Sequence, residues 1–160
     1  MNQRGGRQRK ITEYGQRLIE KQKTKRTYGM RETQFKRYFT EAAKFRGKTG
    51  EILLQTLERR IDNVLYRSGF TKTRKQARQL VSHRHLTLNG IRISIPSILV
   101  KEKDVIKPYK GVLEYQPESP EVDWLKIDKK TGKITVTRLP TESDLPIEFD
   151  TQKIIEFYSR

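Results

Sequence analysis

Four places in the 160-residue chain carry residue types able to act on a ligand. His83 and His85 stand two apart, but the chain has no cysteine and no obvious third donor near them. A structural metal needs about four such donors, so the pair reads as hairpin entry or as a stacking surface. Residues 111–160 hold 10 carboxylates, yet nothing pairs them with a nucleophile or a binding loop, which argues against general acid–base catalysis. Gly47-Lys48-Thr49-Gly50 has the composition of a phosphate loop and lacks its length and spacing. The cluster Arg74-Lys75-Arg78 is different. It follows a turn, opens a helix and has no acid near it in sequence, an arrangement that suits phosphate oxygens.

The charge of the whole chain points the same way. Lys and Arg number 35 against 19 Asp and Glu, a net charge of +16. Residues 1–50 hold 15 basic and 4 acidic side chains, residues 51–110 hold 13 and 5, and residues 111–160 hold 7 and 10. An excess confined to two thirds of the chain marks a binding surface for a polyanion, in the first instance nucleic acid. The acidic last third then reads as a packing or protein-facing segment. Hydrophobic residues make up only 33%, so a core has to be concentrated locally, while 14 aromatics (7 Tyr, 6 Phe, 1 Trp) exclude a purely solvated chain. The absence of cysteine excludes a disulfide framework. No apolar run has transmembrane length and the start MNQRGGRQRK lacks a signal-peptide stretch, so no membrane partner is expected.

These residues need elements to hold them. Thr12 is placed to cap a helix with little apolar face, interrupted at Gly29. Phe35, Tyr38, Phe39 and Ala42 then recur at i, i+3, i+4 and i+7. From Glu51 to about Ser68, Leu53, Leu54, Leu57, Ile61, Val64 and Leu65 keep helical spacing, which predicts one long core helix ending before Gly69. Thr73 with Gln76 predicts a capping box and a short helix from Arg74 to Ser82. Asn89-Gly90 between alternating apolar residues predicts a type I′ hairpin, with more strand material at Leu99-Val100 and Val105-Ile106. Val112 to Pro120, with two prolines, is a poor helix. The closing Ile154-Ile155-Glu156-Phe157-Tyr158 predicts an amphipathic helix docked on the protein.

The runs Leu57-Glu58-Arg59-Arg60-Ile61-Asp62-Asn63-Val64-Leu65-Tyr66-Arg67-Ser68-Gly69-Phe70, Thr73 to His83, Leu88-Asn89-Gly90 and Ile95-Pro96-Ser97 resemble the small-subunit ribosomal protein four family of bacterial or organellar type. The resemblance extends to Glu20-Lys21-Gln22-Lys23, Tyr28-Gly29, Gln34-Phe35, Arg138-Leu139-Pro140 and the closing Glu156 to Arg160. It implies an α+β fold, an N-terminal helical subdomain plus a small helix-pair-and-hairpin RNA-binding module. The expected organisation is a basic flexible tail over 1–10, a helical part built from 11–50 with 111–160, and the module over 51–110. The family implies early, direct binding of small-subunit rRNA at a helix junction, in the cytoplasmic or organellar ribosome. Expected neighbours are protein five and mRNA near the entry channel, with no cofactor. Expected RNA contacts are Arg59, Arg60, Arg74, Lys75, Arg78, His83 and Arg84 in the module, with Lys21, Lys23, Lys25, Arg26, Lys36 and Arg37 before it. The chain departs from the family in lacking the longer N-terminal segment, often with zinc-binding cysteines, and in being short between Lys107 and Trp124. The same module also occurs in RNA-modifying enzymes and in a stress factor. A modifying enzyme needs a catalytic domain that 160 residues do not hold, and such factors lack the flanking motifs.

Overall fold

The computed structural model describes residues 10–116, 118 and 120–159, so the expected tail lies outside them apart from exposed Lys10. Helix α1 (Glu13–Thr27) starts where Thr12 accepts a hydrogen bond from the Gly15 amide at 3.0 Å. Helix α2 (Glu32–Ala42) buries Phe35, Phe39 and Ala42, the stripe read from their spacing. The long core helix does not form. It is broken into α3 (Thr49–Glu58) and α4 (Ile61–Arg67) by Arg59 and an extended Arg60, φ −61° and ψ 137°. At the break the backbone pairs sideways instead of along a helix axis. Ile61 N–H donates to Ile98 O at 2.8 Å, and Val100 N–H to Arg59 O at 2.9 Å. The expected strand at Leu99-Val100 is reduced to this single bridge, Arg60 with Leu99.

The break separates two cores. Leu53, Leu54 and Leu57 pack with Tyr28, Met30, Phe35, Phe39, Phe149 and Ile154. Ile61, Val64 and Leu65 pack with Ala77, Val81, Leu86, Ile106, Trp124, Ile134 and Val136. Burying each such aliphatic side chain contributes about 1.5–3 kcal/mol. Helix α3 therefore belongs with the helical part, and the boundary expected at residue 50 lies at the break. Helix α5 (Arg74–Ser82) is capped by Thr73, whose side chain accepts from the Gln76 amide at 3.0 Å. The return half of the capping box goes one residue further out, Gln76 Oε1 accepting from the Lys72 amide at 2.8 Å.

A five-stranded antiparallel sheet covers α4 and α5. Its strands are β1 (Leu86–Leu88), β2 (Ile91–Ile93), β3 (Val105–Pro108), β4 (Leu125–Asp128) and β5 (Lys133–Val136), in the order β2-β1-β3-β5-β4. Asn89 and Gly90 both take positive φ, 51° and 83°, as a type I′ turn requires. Strands β4 and β5 correct the expectation that all of 111–160 packs on the helical part. Trp124, Leu125, Ile134 and Val136 join the sheet core. Only the end returns to the helices. Helix α6 (Thr151–Tyr158) buries Ile154, stacks Tyr158 on Phe39 at 4.5 Å, and ties to α1 through Arg17 and Glu156 at 3.1 Å. Among described residues, 109–124 form neither helix nor strand. No helix there is long and apolar enough to cross a membrane.

Candidate nucleic-acid interface

Two carboxylates buried at the α3–α4 break organise the basic residues around it. Glu58 is 2% exposed and accepts from the Tyr28 hydroxyl at 2.6 Å, from Asn63 Nδ2 at 2.8 Å and from both Arg67 Nε and Nη2 at 3.0 Å. Burial, and next the Glu58 charge, push the Tyr28 phenol well above its ordinary pKa, so it stays a donor. Burial works against the Arg67 cation, but the Glu58 contact outweighs it and holds the guanidinium more firmly protonated than usual. Asp62, 3% exposed, receives Arg60 Nε at 3.2 Å and Nη2 at 3.1 Å, and has Arg78 Nε 3.7 Å away. Asn63 connects the two carboxylates, its backbone N–H donating to Asp62 Oδ1 at 2.7 Å and its Nδ2 to Glu58, while its Oδ1 accepts from Arg74 Nε at 3.0 Å.

Arg74 is fixed further by aromatic faces, its guanidinium 4.8 Å from the Tyr28 ring centre and 4.4 Å from that of Tyr66, a favourable cation–π arrangement. The two carboxylates thus pair with three guanidinium groups, those of Arg60, Arg67 and Arg78, and Asn63 between them holds a fourth, that of Arg74. The cluster remains cationic. Arg74 and Arg78 share a cleft with Arg26, Gly29, Lys72 and Lys75, between the α1–α2 turn and the first turn of α5. That first turn contains no acid, so its amide dipoles and these cations favour an anion together.

Gly29 is required here on two counts. Its φ is +65°, and a Cβ built on it would lie 1.6 Å from Arg78 Nη2. Gly29→Ala is therefore expected to cost about 1–2 kcal/mol through the left-handed backbone alone, and to push the Arg78 guanidinium out of the cleft. Thermal melting of Gly29→Ala, Arg78→Ala and the double variant checks this. The steric part of the Gly29→Ala effect should vanish when Arg78 is already alanine; strictly additive losses would show that the two do not meet.

The structure brings together Arg26, Arg74, Lys75 and Arg78 from the expected contacts and adds Lys72 to the cleft, with Arg67 outside it on Glu58; sequence reading missed both. Other expected contacts lie elsewhere. Arg60 is 4% exposed and committed to Asp62; burial disfavours its charge, but the Asp62 pair more than restores it. Half-buried Arg59 donates to Val100 O at 3.0 Å, and burial lowers its pKa. Lys21 is 4% exposed, bonded to Glu32 at 2.8 Å and set over the Phe157 ring, and Lys25 joins the same Glu32 at 3.2 Å. These four have partners within the protein. Lys23 donates to Glu148 O at 2.7 Å. Lys36 and Arg37 are exposed on α2, and His83 and Arg84 are exposed at the far end of α5. The two imidazole rings of His83 and His85 are 6.4 Å apart. Among described residues no group of three His, Cys, Asp or Glu side chains is placed to hold a metal.

The sequence matches known proteins in two consecutive parts. Residues 1–58 match the Ribosomal protein S4/S9 N-terminal domain, and residues 59–106 match the S4 domain. The two matches meet between Glu58 and Arg59, at the break between the cores. The chain is 49% identical to small ribosomal subunit protein uS4 of Aquifex aeolicus, over 97% of this chain and 79% of the relative. It is 48% identical to uS4 of Persephonella marina, over 96% and 80% respectively. With uS4A of Symbiobacterium thermophilum the identity is 45%, over 99% and 80%. A sequence alike along nearly its whole length, carrying both matched domains in order around this cationic cleft, belongs to the uS4 family of small ribosomal subunit proteins.

Proposed function

We propose that the chain is a structural constituent of the small ribosomal subunit, binding its rRNA through phosphate contacts in the cleft between the α1–α2 turn and α5. The observation that carries this reading is the buried group of Glu58, Asp62 and Asn63, which holds guanidinium groups in place before any ligand arrives and still leaves the cleft positively charged. Preorganised cations on short rigid elements suit recognition of folded RNA by shape and backbone. The role is architectural rather than catalytic, and its place is the ribosome. Ile11 and Ile19, exposed just before and along α1, support a protein neighbour there, with small-subunit protein five the one we favour. A position near the mRNA entry channel belongs to the same reading.

Affinity for a small-subunit rRNA fragment should fall by roughly tenfold or more between 50 and 200 mM salt if several phosphates are engaged. Lys75→Gln with Arg26→Gln should reduce that slope by roughly one unit per lost contact. Filter binding over a salt series measures both quantities. A wild-type slope near zero would overturn the reading.

A further inference from the structure

We infer that the outer face of the five-stranded sheet is a second RNA-backbone surface, engaging a different segment of RNA from the one at the α5 cleft. This rests on the rRNA-binding reading above and extends it to a separate side of the molecule. Leu86, Ile106, Leu125, Ile134 and Val136 face the core against α4 and α5. Alternation along the strands then turns Arg92, Lys107, Lys133 and Lys126 outward. All four are exposed.

The register aligns them. Arg92 on β2 is opposite Thr87 on β1, and Thr87 is opposite Lys107 on β3. Ile106 is opposite Ile134, which puts Lys107 beside Lys133 on β5, and Lys126 on β4 is opposite Thr135. Lys107 and Lys133 line one shallow depression, Lys133 and Lys126 the adjoining one. Four inter-strand steps of about 4.8 Å make the row roughly 19 Å long. That length spans several successive phosphates.

Asp128 is the one acid in the row, and it serves the β4–β5 turn by accepting from the amides of Lys130 and Thr131 at 3.0 and 3.3 Å. Those backbone hydrogen bonds keep its carboxyl below the usual range, so it subtracts one charge and leaves an excess. At the β2 end Arg92 lies over the Tyr109 ring, 3.8 Å from its centre, and Tyr109 is exposed. An arginine–tyrosine stack of this kind extends a platform for a base. A protein partner fits the face less well, because interface cores are depleted in lysine and need apolar anchors. Apart from Asp128 and a single apolar residue, Val105, the outward positions here are lysine, arginine and threonine. Since α4 and α5 lie on the other side of the sheet, one RNA helix would not reach both surfaces. The protein would be gripped between two RNA segments.

The test uses the full chain and a transcript of the 5′ domain of small-subunit rRNA. One variant combines Arg92→Gln, Lys107→Gln, Lys126→Gln and Lys133→Gln; a second combines Lys75→Gln with Arg26→Gln. All six positions are exposed, and circular dichroism confirms folding before binding is compared. The sheet variant should bind at least about tenfold more weakly near 100 mM salt and lose roughly three to four units of salt slope. In hydroxyl-radical footprinting it should lose protection at nucleotides other than those lost with the cleft variant. If the sheet variant keeps wild-type affinity, slope and footprint while the cleft variant loses them, the inference fails and the cleft reading stands. The inference fails equally if the sheet variant binds RNA normally but no longer retains a neighbouring subunit protein. Protection lost at one shared set of nucleotides also overturns a separate surface. If wild-type protein shows no salt-dependent binding at all, the cleft reading falls as well.

Discussion

Glu58→Ala should destabilise the protein by about 3–5 kcal/mol, the range for removing one partner of a buried ion pair. The carboxylate accepts four hydrogen bonds from Tyr28, Asn63 and Arg67, so truncation strands a buried phenol, an amide and a guanidinium together. An exposed ion pair such as Lys44 with Glu41 contributes about 0–1 kcal/mol at most. Position also matters. Tyr28 belongs to the helical core, whereas Arg67 extends from α4, whose Ile61, Val64 and Leu65 belong to the sheet core. Glu58 therefore joins the two halves as well as holding its partners. Glu58→Gln keeps the shape and two acceptor lone pairs, and should cost less than the alanine change while still weakening the hold on Arg67. Urea unfolding of the three proteins checks the order, and a loss below about 1 kcal/mol for Glu58→Ala would show that the network relaxes without strain. Because this carboxylate holds Arg67 directly and Arg74 through Asn63, RNA affinity per folded molecule should also drop.

The same carboxylate shows where sequence reading ends. Helix starts with a local chemical cause were legible: Thr12 and Thr73 cap where their spacing to Gly15 and Gln76 places them. So was the Asn89-Gly90 hairpin, whose positive φ pair is a demand on those two residues alone. The break between Glu58 and Ile61 was not legible, because it contains neither glycine nor proline and the apolar spacing runs on through it in phase. Its cause is distant: the carbonyl of Ile98 and the amide of Val100, about forty residues on, bind the backbone there. Strands β4 and β5 do carry a signal that the charge balance of the last third overshadows, since Leu125-Lys126-Ile127 and Ile134-Thr135-Val136 alternate around Gly132 with φ +88°. For the site, type and spacing identified Arg74, Lys75 and Arg78, but could not separate Arg60, turned inward to Asp62, from Arg67, turned toward Glu58. By spacing alone both carboxylates pass for ordinary surface partners on a helix. Only tertiary packing makes them buried organisers of the cleft.

Leu57→Ala and Ile61→Ala test whether the break divides the molecule energetically. Each side chain is fully buried, and each truncation should cost about 2–5 kcal/mol, through lost transfer energy and the cavity left behind. The residues are four apart, so on one continuous helix they would share a face and a core. Here Leu57 contributes to the core of α2, α3 and α6, and Ile61 to the core of α4, α5 and the sheet. Hydrogen exchange should then resolve two patterns. Leu57→Ala should raise exchange first in α2, α3 and α6, and Ile61→Ala first in α4, α5 and the β1–β3 strands, because opening follows the packing unit that lost contacts. The double variant should lose close to the sum of the two, since the side chains lie in separate clusters with no shared core partner. Identical exchange patterns for the two variants, or a double-variant loss far from the sum, would show that the cores fold and open as one. Between them stand Glu58, Arg59 and Arg60. The polar network at that joint is what couples the cores, so adding Glu58→Gln to either alanine variant should widen the difference between the two exchange patterns.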